Sequence, residues 1–170
     1  KYVGWVKDGL KHGRGELSQL MTSRVFQGIW DRNVLTDDVI ILDPCGTIKG
    51  DIDPSTGTGF GEIRYTNGDI YTGEISEFLR SGSGIFNSSR GMMIRGLWIK
   101  DTDVDHAIMV DENGFRWTGK LKGMKPFGHM QVRSPNGAVY ESVWQDGHMI
   151  KSLSKELRGL SSTNKQQPSP

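Results

Sequence analysis

Cysteine is nearly missing from this chain: Cys45 stands alone in 170 residues, so no internal disulfide can form. A lone thiol fits a reducing compartment, and the expected location is intracellular and cytoplasmic. An excess of charge of either sign is missing too, since 21 basic and 20 acidic side chains leave a formal net charge of +1. That balance excludes the broad basic surface of a nucleic-acid-binding domain. No apolar run reaches the length of a membrane-spanning helix, and no stretch reads as a secretory leader.

The patterns that carry catalysis are also missing. His12, His106, His129 and His148 are scattered without metal-ligand spacing. Ser, His and Asp are present, but no nucleophile motif such as G-x-S-x-G joins them. Gly57-Thr58-Gly59-Phe60-Gly61 is glycine-rich, yet it opens a strand pattern and not the helix a phosphate cradle needs. Cys45 has no basic or His neighbour in sequence to lower its pKa. The expectation is a chain that is not an enzyme and holds no cofactor or metal.

What is present is a period. An aromatic or Ile start followed two places on by Gly recurs at Tyr2, Phe26, Ile48, Tyr71, Ile94, Trp117 and Tyr140, with Ser142 replacing the last Gly. The steps are 24, 22, 23, 23, 23 and 23 residues. A fixed period of this size marks a repeat architecture. With each start as offset zero, offset four reads Val6, Trp30, Ile52, Ile75, Trp98, Leu121 and Trp144. Offset fifteen reads Leu17, Ile41, Ile63, Phe86, Met109 and Val132.

Offsets zero, two and four share a face only on a strand, because strand side chains alternate. Each repeat therefore starts with a strand whose core face runs aromatic, Gly, aromatic. Its structural residues include Tyr2, Gly4, Trp30, Tyr71, Gly73, Trp98, Trp117, Tyr140 and Trp144. A second strand follows, with a Gly pair at offsets eleven and thirteen in repeats one, three and four: Gly13 and Gly15, Gly59 and Gly61, Gly82 and Gly84. The turns into the next repeat carry Asn67-Gly68, Arg90-Gly91, Asn113-Gly114 and Asn136-Gly137. A two-residue Asn-Gly loop would put Ile63 on the wrong face. A three-residue loop, Thr66-Asn67-Gly68, pairs Ile63 with Tyr71 and Gly61 with Gly73, and predicts a type I turn closed by a left-handed Gly. One such hairpin buries too little to stand alone, so stability must come from stacking on neighbours.

Tyr2-Val3-Gly4 followed by Asp8-Gly9-Leu10-Lys11-His12-Gly13-Arg14-Gly15, and Asn67-Gly68-Asp69-Ile70-Tyr71-Thr72-Gly73-Glu74 at a repeat junction, resemble the MORN (membrane occupation and recognition nexus) repeat. The resemblance spans about residues 1–150 and implies an all-β fold: an elongated, twisted, single-layer antiparallel sheet of consecutive hairpins. The family's Gly at offset seven survives only as Gly9 and Gly147, and its His at offset ten only as His12. Repeat five replaces the Gly pair by Asp105 and Ala107. The resemblance also implies a scaffold or dimerisation role in cytoskeletal, ciliary or membrane-junction settings. The alternatives are an accessory region of a larger enzyme, of lipid kinase or lysine methyltransferase type, or a module binding anionic lipid weakly.

Lys1 stands one residue before a repeat start, so the chain reads as part of a longer protein. At the other end, Leu153, Leu157 and Leu160 have the spacing of a short helix over 151–160, followed by a disordered tail to 170. Asp101, Asp103, Asp105 and Glu112 echo a calcium loop, but His106 stands where that loop needs Gly, and an acidic turn is the better reading. Lys120, Lys122 and Lys125 could touch anionic headgroups, though three lysines bind weakly. Offset three on the outer face reads Trp5, Ile29, Asp51, Glu74, Leu97, Lys120 and Val143. Its apolar members Trp5, Ile29, Leu97 and Val143 are the expected protein-binding residues, with another copy of the chain as one partner.

Overall fold

The computed structural model describes residues 1–153, and all regular structure among them is β. They form two compact units, Lys1–Ser89 and a second beginning at Arg90. The first holds β1 (Tyr2–Lys7), β2 (Leu10–Gln19), β3 (Arg24–Asp31), β4 (Val34–Asp43), β5 (Gly46–Asp53), β6 (Thr58–Tyr65), β7 (Ile70–Ser76) and β8 (Leu79–Asn87). The second holds β9 (Met93–Ile99), β10 (Asp103–Val110), β11 (Arg116–Lys122), β12 (Lys125–Arg133), β13 (Val139–Gln145) and β14 (His148–Ser152). Within each unit every strand pairs antiparallel with its sequence neighbours, as consecutive hairpins.

Each repeat start lies in an odd-numbered strand, and each offset-fifteen residue in an even one. Tyr2 pairs with Leu17, Leu17 with Phe26, Phe26 with Ile41, Ile41 with Ile48, Ile48 with Ile63, Ile63 with Tyr71, and Tyr71 with Phe86. In the second unit the row runs Ile94, Met109, Trp117, Val132, Tyr140. Directly paired side chains share a face, so each unit carries one continuous apolar row. Ile41, Tyr71, Ile75, Ile94, Leu121 and Trp98 are almost fully buried. Tyr2, Trp117, Tyr140 and Trp144 are half-buried, with Trp117 and Trp144 packed edge to face at 5.3 Å. Val6 departs from its row, at 57% exposed.

The irregular steps resolve into turn lengths. The 24-residue step has a four-residue loop between the paired Gln19 and Arg24. The 22-residue step has a two-residue loop, Pro44-Cys45, between Asp43 and Gly46. At three of the 23-residue steps the loop has three residues. The Gly68 N–H donates to Tyr65 O at 3.0 Å, the Tyr65 N–H donates to Asp69 O at 2.9 Å, and Gly68 has φ +87°. The same pair of bonds closes 111–115 and 134–138. Because the turns absorb the inserted or deleted residue, the apolar row never changes face.

Most repeats carry a bulge in the second strand. Between Gly73↔Gly84 and Ile75↔Arg80 the β7–β8 register shifts, and Gly82 takes φ +52°. Repeats two and five have no Gly at this offset. Asp38 (φ +51°) and His106 (φ +50°), one place later, take the left-handed conformation instead. Asp and His are among the few side-chain-bearing residues that visit it readily.

Lys151 and Ser152 belong to β14, and the Leu153 N–H donates to Glu141 O at 2.8 Å. No helix occurs among the described residues. The remaining positions of the expected helix, Leu157 and Leu160 included, lie outside them, as does the tail.

Candidate functional site

The hairpin turns expected to look functional are structurally committed. Asp103 opens the Asp103–Val110 strand and Glu112 lies just past its other end, about 25–30 Å apart in extended chain, too far for one calcium loop. Asp103 accepts from the Gly123 N–H at 2.8 Å, and Asp105 pairs with Lys120 at 2.8 Å. Asp111 accepts from the N–H groups of Asn113 and Phe115 and from the Trp117 indole. No group of metal-binding side chains forms among the described residues. His12 Nδ1 lies 3.3 Å from Asp31, and His129 lies 3.8 Å from Glu141. Cys45 is exposed in its turn, where its carbonyl accepts from the Thr66 N–H.

The lysine cluster is drawn onto the sheet. Its hydrogen bond to Asp105 and that carboxylate's charge hold the Lys120 ammonium above its ordinary pKa. Lys122 lies over the Phe127 ring at 5.3 Å, and the Lys125 stem runs beside Gly147.

On the outer face, Trp5 is 75% exposed and Leu97 45%. Ile29 and Val143 are half-buried, less open than their row suggested. Trp5 and Ile29 are separated by Arg14, which pairs with Ile29 across β2–β3 and reaches Asp38 at 3.0 Å. Val3 and Phe60 add further exposed apolar surface to the first unit, at 59% and 58%.

A feature that the repeat pattern alone did not locate lies between β4 and β5. Their ladder covers only Ile40–Asp43 against Gly46–Lys49. By contrast, β2 and β3 pair from Gly13↔Trp30 to Gln19↔Arg24, and β12 and β13 from Gly128↔Trp144 to Arg133↔Val139. Continuing the Ile41↔Ile48 register would place Val39 opposite Gly50, Asp38 opposite Asp51 and Asp37 opposite Ile52. None of these pairs forms. The strands part instead, leaving a cavity of about 950 Å3 floored by Phe26, Trp30, Leu35 and Ile52. On the other side is a second hollow of about 700 Å3, and Asp38, Val39 and Gly50 border both.

Two departures from the repeat account for the seam. Val39 stands where repeats one, three and four have the second Gly of the pair, so a branched side chain would meet the neighbouring Gly row. Closure would also set Asp38 beside Asp51, and like charges directly opposite are destabilising. Repeat five supplies the internal comparison. It too has lost the Gly pair, but it has the small Ala107 at offset thirteen and Lys120 at offset three, where repeat three has Asp51. There Asp105 and Lys120 form an ion pair and the ladder continues to Val104↔Leu121.

The sequence matches no protein-family model and no curated protein.

Proposed function

We propose that this chain is a non-catalytic scaffold whose outer sheet face makes contacts with other polypeptides, a second copy of itself among them. The supporting observation is the exposed apolar surface of the first unit, with Trp5 and Val3 on β1 and Phe60 on β6 all more than half exposed. The same reading makes the chain a divergent MORN-type array, an elongated, twisted single layer of hairpins. Its motifs at 2–15 and 67–74 and the unbroken 23-residue step from Tyr71 to Ile94 support that assignment. An intracellular setting, cytoskeletal or membrane-peripheral, belongs to the proposal and rests on the single exposed thiol.

The test is sedimentation of the chain over a range of concentrations beside the Trp5→Ala, Ile29→Ser double variant. The expected result is concentration-dependent association that the double variant loses while its fold is kept. Association unchanged by the two substitutions would overturn the outer-face reading.

A further inference from the structure

We propose that the seam between β4 and β5 is a docking site for an extended, basic polypeptide segment, which enters as an added strand. This deepens the contact-surface reading and rests on it, but at a site distinct from Trp5.

The seam combines three properties. First, the facing flanks Val34–Val39 and Gly50–Asp53 form no ladder with each other, although each is a strand paired on its far side. Backbone N–H and C=O groups on such edges are templates for an incoming strand. Second, the floor is apolar: Phe26, Trp30, Leu35 and Ile52 line the base of the cavity, and alternate side chains of an inserted strand would lie along their edges. Third, the charge of the larger cavity is one-sided. Asp37, Asp38, Asp51 and Asp53 border it and no Lys, Arg or His does, while Arg14 and Lys49 beside Glu16 and Asp38 border the hollow on the other side. Only Asp38 is paired with a cation, Arg14, and that pair is exposed.

The same repulsion that keeps the seam open selects its occupant. A strand carrying Lys or Arg on its outward positions would place cations between Asp38 and Asp51, as Lys120 does for Asp105 in the second unit. An acidic strand would add to the repulsion. An apolar strand without charge would leave the carboxylates uncompensated.

The experiment titrates the whole chain with a capped hexapeptide alternating Lys and Val, and with its Glu–Val counterpart, followed by backbone amide shifts and calorimetry. The basic peptide is expected to bind saturably, with shifts centred on residues 34–39 and 50–53 and with affinity falling as salt rises. The acidic peptide should bind at least tenfold more weakly. Asp51→Lys should close the seam, raising hydrogen-exchange protection at Val39 and weakening the basic peptide at least tenfold. Glu112→Lys makes the same charge change in the second unit and should leave binding unaltered. Absence of saturable binding, equal binding of both peptides, shifts centred elsewhere, or an Asp51→Lys variant that binds like wild type would each overturn the proposal. The Trp5→Ala, Ile29→Ser variant should bind the peptide normally, so failure at the seam and failure of the outer-face reading are separate results.

Discussion

The ring of Tyr71 lies over Gly84, in the space any side chain there would need. Its hydroxyl shares one proton between the carbonyls of Glu74 and Ser81, at 2.8 and 2.9 Å. Gly84→Ala would drive a methyl into a buried, rigid ring, at a cost of about 3 kcal/mol. Gly123→Ala meets nothing within 4 Å and is strained only by its φ of +57°, so it should cost about 1 kcal/mol. Urea unfolding of the two variants should therefore rank them in that order.

Tyr71→Phe keeps the ring and removes the donor. Two inward-facing carbonyls then lose their shared proton, and the expected loss is about 1–2 kcal/mol. Burial, the largest influence, pushes the phenol's pKa well above its ordinary 10.0, with Glu74 adding to it and the Ser81 hydrogen bond opposing. A folded pKa above the unfolded one means a contribution fully present below pH 10 and lost as pH rises further. Alkaline unfolding should start at higher pH in the Phe variant than its neutral-pH deficit would suggest.

Asp69 ties two neighbouring turns together. It accepts from the Ser89 N–H at 2.8 Å and from the Asn67 amide at 2.9 Å. Partial burial alone would raise its pKa, but hydrogen bonds from Ser89, Asn67 and Ser88 together outweigh it and hold the pKa below the ordinary 3.8. The stabilisation is present above the unfolded pKa and fades as pH falls below about 4. Asp69→Asn should cost about 1 kcal/mol at pH 7 after solvent screening, and little at pH 2.5, measured by thermal melts at both.

Lys120→Asp should recreate in the second unit what Asp51 does in the first. With Asp105 and a new carboxylate side by side, the β10–β11 ladder should fray at its Val104↔Leu121 end. Hydrogen exchange at Val104 and Ala107 should speed up at least tenfold while Met109↔Trp117 stays protected. Uniform protection along β10 would show that charge does not govern closure.

Deleting Glu112 should be tolerated, because the turn would shorten to Asn113-Gly114 with the pairs on either side intact, as Pro44-Cys45 already does between Asp43 and Gly46. Deleting Thr118 from β11 should abolish folding of its neighbourhood, since it moves one end of the strand to the opposite face. Circular dichroism melts of the two deletions separate turn tolerance from strand register.

Much of this was legible in the chain. The pairing of Ile63 with Tyr71 and of Gly61 with Gly73, and the left-handed Gly68, follow from parity and from Asn-Gly chemistry. The candidate site was less legible. Offset three marked Trp5 and Leu97 as exposed, but half-burial of Ile29 and Val143 depends on what lies beside them. The offset-eleven glycines were visible without their purpose, because a bulge requires knowledge of both strands it separates. The Asp38 and His106 substitutes could have been noticed as left-handed-tolerant residues in the two repeats that lack that bulge glycine.

By itself, the sequence determined the period, the strand faces and the turn lengths, because side-chain alternation and turn geometry are local and act within a few residues. Whether neighbouring strands close was decided only in three dimensions. Val39, Asp38 and Asp51 are unremarkable in the linear order. Their consequence appears when a two-residue turn brings them face to face, and packing and repulsion across that contact part β4 from β5 where the corresponding β10 and β11 stay joined by Asp105 and Lys120.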